Sequence, residues 1–216
     1  MHPPAFKKRN VEILMLWVLP SMAFAFGFFY WLAHHRLSYF GYLSLLPAIF
    51  SMLVVGLAAG PLGLWRWNNE IFPRIVFLHR PWVWTSYFHL VFISAGRLLF
   101  LPTNLGTLVE STLIIGFIGM LVGVAHDLFC VDAGIYQISG YRFDREKHGT
   151  ILVVSRYAFY FFGFVGMAMG LAAKAGYYFL YESPSPHSWL TLGFAGGILV
   201  SLPFLAWIVS RYLKKK

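Results

Sequence analysis

The residues of this chain that could perform chemistry concentrate in one apolar stretch, residues 108–138. It carries the reactive side chains Glu110, His126, Asp127, Cys130 and Asp132. An ionisable group at membrane depth is costly, so each of these is a functional-site candidate. A histidine beside a carboxylate suits general acid–base catalysis near neutral pH. We therefore predict that His126 and Asp127 form the catalytic centre.

Helical phase predicts which way Asp127 faces. At about 100° per residue, Gly116, Gly123 and Asp127 share one face of the helix that carries them. Small residues mark the face where neighbouring helices approach most closely. Asp127 should therefore face protein, where it must be protonated, paired with a cation or bound to a metal.

Two groups of charges are expected to form supporting ion pairs. The depth of a residue in the membrane can be estimated by folding each predicted hairpin about its loop and counting a rise of about 1.5 Å per residue. This brings Arg97, Glu110 and Lys174 to one level near the outer surface, and Asp132 level with Arg156 near the inner surface. Pairing is the usual way in which a helix bundle tolerates buried charges. We predict a pair of Glu110 with Arg97 or Lys174, and a pair of Asp132 with Arg156.

The cofactor remains open at this stage, with a divalent metal as one candidate. Its ligands would come from His79, His126, Asp127 and Asp132, although the chain has no HxxH or HExxH signature. Haem is the weaker candidate. His89 and His126 are the best axial pair, but the folded hairpin separates them by about 12 Å along the membrane normal.

Composition identifies the class of protein. The 216 residues are 59% hydrophobic and only 12% charged, and the mean hydropathy is +0.67. Soluble domains are about a quarter charged, so this composition predicts a polytopic membrane protein. The single cysteine excludes an intramolecular disulfide. The net charge of +9 resides mainly at segment ends, as topology signals do, and does not indicate nucleic-acid binding.

The predicted fold is all-α, a single domain built as a bundle of six transmembrane helices. The helices span about 11–33, 39–64, 81–101, 108–135, 151–181 and 189–213, each near the roughly 20 residues that a bilayer requires. Lysine and arginine cluster at both termini and in the second and fourth loops, so both termini should face the cytoplasm. The expected location is the plasma (inner) membrane of a prokaryote. Residues 65–80 are a candidate amphipathic helix on the inner surface.

Small-residue pairs indicate how the helices associate. The pairs are Gly56 with Gly60, Gly166 with Gly170, and Gly193 with Gly197. Such spacing lets helix backbones approach closely, either within the chain or between two copies in a homo-oligomer. Membrane lipids are the other expected partners.

Three classes of function fit the sequence. The first is a membrane-embedded enzyme that acts on a lipid-like or amphipathic substrate through His126 and Asp127 near the cytoplasmic leaflet. The second is a small-solute or proton-coupled transporter or channel, in which the outer and inner polar residues line one path. The third is a non-catalytic, haem- or quinone-binding subunit of a membrane complex. The chain has no P-loop, so it should not drive transport with ATP by itself.

Overall fold

The computed structural model describes residues 5–59, 62–63, 65–68, 71, 76–138, 145–184 and 186–213. Over these residues the fold is helical, with one short antiparallel ribbon. The α-helices are α1 (Ala5–Ile13), α2 (Leu19–Ala33), α3 (Leu37–Phe50), α4 (Gly56–Ala59), α5 (Val76–Ser94), α6 (Gly96–Phe100), α7 (Leu105–Asp132), α8 (Arg145–His148), α9 (Thr150–Ser155), α10 (Ala158–Tyr177) and α11 (Trp189–Leu213). Three π-helical segments continue α1, α3 and α10: π1 (Leu14–Val18), π2 (Ser51–Val55) and π3 (Tyr178–Glu182). The strands are β1 (Trp65–Trp67) and β2 (Tyr136–Ile138).

Five helices are long and apolar enough to cross a membrane. They cover Lys8–Ala33, Leu37–Val55, Leu105–Asp132, Ala158–Glu182 and Trp189–Val209. The described residues place no such span at the third predicted position, 81–101. There α5 ends at Ser94, and the short helix α6 follows Ala95, whose backbone is not helical. The fifth predicted span, 151–181, is also interrupted, because α9 ends at Ser155 and α10 begins at Ala158.

Helix α5 is less apolar than its neighbours because it lies inside the bundle. It packs against α2, α3 and α7. Five of its polar side chains are buried, namely His79, Arg80, Thr85, Ser86 and His89. A helix that contacts protein on most sides can carry polar groups where each finds a hydrogen-bond partner. Hydropathy therefore underestimates how deeply α5 is buried.

The ribbon lies beside the end of α7, a region that we call the ribbon end. Strand β1 pairs antiparallel with β2, and Trp67 lies opposite Tyr136 in the register. The N–H of Asn68 extends the pairing by donating to the carbonyl of Ile135. The predicted amphipathic helix over residues 65–80 is therefore wrong at its start, where residues 65–67 are a strand, while residues 76–80 belong to α5.

Two of the three predicted small-residue pairs pack within the chain. A Cβ added at Gly170 would lie 2.9 Å from the Cα of Thr112 on α7. A Cβ at Gly193 or Gly197 would meet the side chain of Leu45 or Ile49 on α3, both at 2.7 Å. These glycines let α10 approach α7 and let α11 approach α3. Gly60 lies outside the described residues.

Candidate functional site

The candidate site is set by the crossing of α7 and α10, the most extensively packed pair of helices among the described residues. A Cβ at Gly119 would lie 3.3 Å from the Cα of Gly166, so the two backbones are in contact. The ring of Phe162 occupies the space above Gly123, with Cγ 2.1 Å from where a Cβ would stand. Asp127 follows one turn later on the same face and is 4% exposed. The crossing therefore directs Asp127 toward the start of α10.

Asp127 is the centre of a chain of hydrogen bonds, which we call the Asp127 network. Its Oδ1 lies 3.1 Å from Nδ1 of His126, and its Oδ2 accepts a hydrogen bond of 2.5 Å from the hydroxyl of Tyr157. The Tyr157 hydroxyl lies 3.1 Å from that of Tyr136. At the other end, Sγ of the buried Cys130 lies 3.5 Å from Nε2 of His126. Both carboxylate oxygens are thus bonded.

Local backbone features bring the two tyrosines to Asp127. After α7, Gly134 adopts φ +70°, and the N–H groups of Gly134 and Ile135 donate to the carbonyls of Val131 and Cys130. This is a Schellman ending, which favours glycine at the left-handed position. It turns the chain back so that Tyr136 enters the ribbon. Tyr157 lies in the break between α9 and α10, with φ −136°.

Tyr136 keeps its proton at neutral pH. The side chain is buried at the ribbon end, outside the membrane-crossing helices. Burial, and after it the Asp127 carboxylate, raise the pKa of Tyr136 above its ordinary value of about 10. Its phenol is therefore neutral and available as a hydrogen-bond donor.

A cavity opens beside the Asp127 network. The space available to the centres of water-sized molecules is about 70 Å³, several times the roughly 10–15 Å³ that one water needs. One end is polar, formed by His126, Asp127, Tyr136 and Tyr157. The remaining wall is mainly apolar and aromatic, and its large rings belong to Trp84, Tyr87, Phe88, Phe161 and Phe162. Cys130 is not part of this lining.

The polar side chains of α5 support the cavity by bonding to carbonyls of the first two π segments. His79 Nε2 lies 2.8 Å from the carbonyl of Leu16, and the Tyr87 hydroxyl donates to that of Met15 at 2.8 Å. Arg80 donates to the carbonyl of Val55 at 3.3 Å. A π segment displaces the regular backbone bonding and is often found at functional sites. The ring of Tyr87, held in this way, packs edge-on against His126 with centroids 5.3 Å apart.

The residues predicted for the inner site lie partly in the cavity wall and partly at the surface. His126 and Asp127 are adjacent in the cavity wall, while His79 and Arg80 are buried nearby on α5. Asp132 is exposed and accepts a hydrogen bond of 3.1 Å from Oγ1 of Thr150. Arg156 is also exposed.

The predicted outer cluster is not formed. Arg97 and Glu110 are exposed, whereas Lys174 is fully buried. The ammonium of Lys174 donates to the carbonyls of Leu98, Leu99 and Leu101 at the end of α6. Terminal helix carbonyls lack partners within the helix, and a basic side chain can satisfy them. Lys174 therefore caps a helix and does not pair with Glu110.

The predicted metal ligands do not converge. Within the described residues, no group of three or more His, Cys, Asp or Glu side chains could hold a metal ion. His79 is bonded to a carbonyl, and Asp132 lies at the surface. His89, the proposed haem partner of His126, is buried elsewhere. Its ring stacks on Phe40 at 4.5 Å and its Nε2 lies 2.9 Å from the hydroxyl of Ser44.

Sequence reasoning missed four residues of this region: Glu12, Tyr87, Tyr136 and Tyr157. Glu12 is fully buried in α1, and its carboxylate accepts from the N–H of Ile71 at 3.2 Å. The rule that singled out Asp127 applies equally to Glu12, which opens the first apolar run. The tyrosines carry no such signal, because tyrosine is common at membrane interfaces.

The fold and site together define an all-helical membrane protein with a buried carboxylate, imidazole and phenol network at one end of an aromatic cavity. Comparison with known proteins adds no relative: no family model, curated protein or solved structure matches the chain.

Proposed function

We propose that the protein is a membrane-embedded enzyme that acts on a lipid-like or amphipathic molecule by general acid–base catalysis. The observation that carries this proposal is the position of the Asp127 network, which supplies the polar end of an otherwise aromatic cavity. An apolar pocket with a few convergent polar groups is the usual form of a small-molecule site. Apolar walls would hold the body of the substrate and leave its polar group at Asp127.

Each member of the network has a role in this proposal. Asp127 accepts a proton from the substrate, and His126 holds the carboxylate through the bond between Nδ1 and Oδ1. The hydroxyl of Tyr157, bonded to the other carboxylate oxygen, shares the transferred proton, and Tyr136 extends the path. Proton transfer requires groups within about 2.6–3.2 Å of one another, and these contacts meet that requirement.

Transport is less well supported, because the outer charges do not share this cavity. Arg97 and Glu110 are exposed, and Lys174 is engaged by backbone carbonyls. A role as a haem-binding subunit loses its best ligand pair, since His89 does not line the cavity. Quinone binding without catalysis requires only the cavity and is the alternative outcome of the experiment below.

The experiment compares cells that produce the protein, its Asp127→Asn variant or the control Glu146→Gln. Asn keeps the size of Asp127 but removes its charge and its ability to accept a proton. Glu146 is exposed on α8 and lies outside the network. Membrane extracts are examined by untargeted mass spectrometry. We expect the protein and Glu146→Gln to change the amounts of the same compounds relative to cells that lack the protein. Asp127→Asn should change none of them when it is as abundant and as well folded as the protein. Identical extracts from the protein and Asp127→Asn would refute the proposal.

We also propose that the chain makes six spans with both termini in the cytoplasm of a prokaryotic cell. Helix α5 supplies the third span, because its 19 residues extend about 28 Å, close to the roughly 30 Å of a bilayer core. Labelling in a Cys130→Ala background tests the orientation. A His187→Cys variant should react with an impermeant thiol reagent from outside, and a Lys147→Cys variant should not. Reversed labelling would refute it.

A further inference from the structure

The hydrogen positions of the Asp127 network follow from counting donors. The Tyr157 hydroxyl has one proton, which it donates to Oδ2 of Asp127. The Tyr136 hydroxyl lies 3.1 Å from that of Tyr157 and is also hydrogen-bonded to Asp127, and in both contacts Tyr136 is the donor. Both phenol protons therefore point toward the carboxylate.

The other half of the network is oriented in the same way. Nδ1 of His126 faces a carboxylate oxygen, so it carries the proton and donates. Nε2 of His126 lies 3.5 Å from Sγ of Cys130, which is outside the cavity lining, so this contact presents no proton to the cavity. The N–H and O–H groups at the polar end of the cavity are therefore directed to Asp127.

The polar end of the cavity consequently offers unused lone pairs and no unused proton. A carboxylate has about four lone-pair positions, and the three bonds from His126, Tyr157 and Tyr136 leave about one open on Asp127. A buried acceptor is satisfied only by a donor. A ligand that brings a carbonyl, ether or phosphate oxygen would place acceptor against acceptor. The geometry therefore favours a ligand that donates a hydrogen bond to Asp127.

We propose that the molecule bound in this cavity is an apolar compound with a neutral hydroxyl group, held with its O–H donating to Asp127 and its body among the aromatic rings. This inference rests on the function proposed above and names its substrate class. A neutral donor is favoured over an ammonium because the guanidinium of Arg80 is buried behind the wall, bonded to the carbonyl of Val55, which lines the cavity. A second cation there would be repelled.

The test uses three probes with the same fused-ring body: 2-naphthol, 2-methoxynaphthalene and 2-naphthylmethylamine. Their dissociation constants are measured for the purified full-length protein in one detergent. We expect 2-naphthol to bind about ten- to a hundredfold more tightly than the methyl ether, the range for a hydrogen bond to a charged acceptor. In Asp127→Asn this preference should fall below about threefold, while Glu146→Gln should keep it.

A Val122→Phe variant shows whether the probes occupy this cavity. Val122 is half-buried in the lining, so a larger ring there should weaken 2-naphthol and its ether equally. Val91→Phe replaces it if that variant does not fold. The inference would be overturned if 2-naphthol and its methyl ether bound equally well, or if the amine bound more tightly than 2-naphthol. It would also be overturned if neither Asp127→Asn nor Val122→Phe changed the dissociation constants. The extract comparison described above decides the enzymatic role separately.

Discussion

The contact between α7 and α10 predicts opposite effects for one substitution at two neighbouring glycines. A Cβ at Gly166 would lie 2.8 Å from the carbonyl oxygen of Ile115 and 2.9 Å from the Cα of Gly116. Both atoms belong to backbone, so no side chain can turn aside. A Cβ at Gly163, one turn earlier on α10, would meet only Cβ of Met120 at 4.0 Å. Gly166→Ala should therefore push the helices apart, and Gly163→Ala should not.

The magnitude follows from the distances. Ordinary contact begins at 3.4 Å, so the helices must separate by about 0.6 Å at Gly166. Overpacking of this kind costs about 1–3 kcal/mol. Replacing glycine by alanine within a helix stabilises it by about 0.5–1 kcal/mol, and both variants share this gain. Gly166→Ala should thus have a free energy of unfolding about 1–3 kcal/mol lower than that of Gly163→Ala.

Unfolding in mixed micelles, followed by far-UV circular dichroism as the denaturing detergent is increased, measures this difference. The same two variants report on the site, because Tyr157 lies nine residues before Gly166, about 13 Å along the helix. Moving α10 away should lengthen the bond between Tyr157 and Asp127 and weaken 2-naphthol binding only in Gly166→Ala. Equal stability of the two variants would refute the assigned contact between the helices.

Two further predictions concern Lys174 and Tyr136. Lys174→Met should lower the free energy of unfolding by about 1–3 kcal/mol, because it leaves buried carbonyls without a donor, while the exposed Glu110→Gln should have no effect in the same titration. The raised pKa of Tyr136 stabilises the fold below about pH 10, the pKa of an unfolded tyrosine, and this contribution is lost as the pH rises further. The melting temperature of the protein should therefore fall more steeply above pH 10 than that of Tyr136→Phe, and parallel curves would contradict the burial of this phenol.

The orientation of Asp127 could be derived from the sequence because it depends on a period. Gly116, Gly123 and Asp127 fall on one face of any regular helix, and α7 is regular over 28 residues. Small-residue spacing likewise predicted a close helix approach at Gly170, which the structure places against α7. Apolar lengths likewise predicted long membrane-spanning helices, since they depend on composition more than on tertiary contacts, and five of the six predicted spans are long and apolar enough in the described residues.

The partners of these side chains could not be derived in this way. Lys174 was expected to pair with Glu110, because a depth estimate counts charged side chains and ignores backbone carbonyls. The carbonyls of α6 become acceptors only because α6 is a separate helix that ends near Lys174. Tyr157 reaches Asp127 through a break at residues 156–157 that no proline or glycine marks. Both contacts depend on where a helix ends, which tertiary packing decides.

Helix α5 explains how a polar site can exist within so apolar a chain. Its buried histidine, arginine and tyrosine would each be costly beside regular helices, whose carbonyls are already bonded. Segments π1 and π2 place acceptors at Met15, Leu16 and Val55, and the polar groups of α5 bond to them. The side chains of α5 are thereby fixed without using the Asp127 carboxylate. Asp127, which lines the cavity, is therefore left to bind the hydroxyl of the proposed ligand.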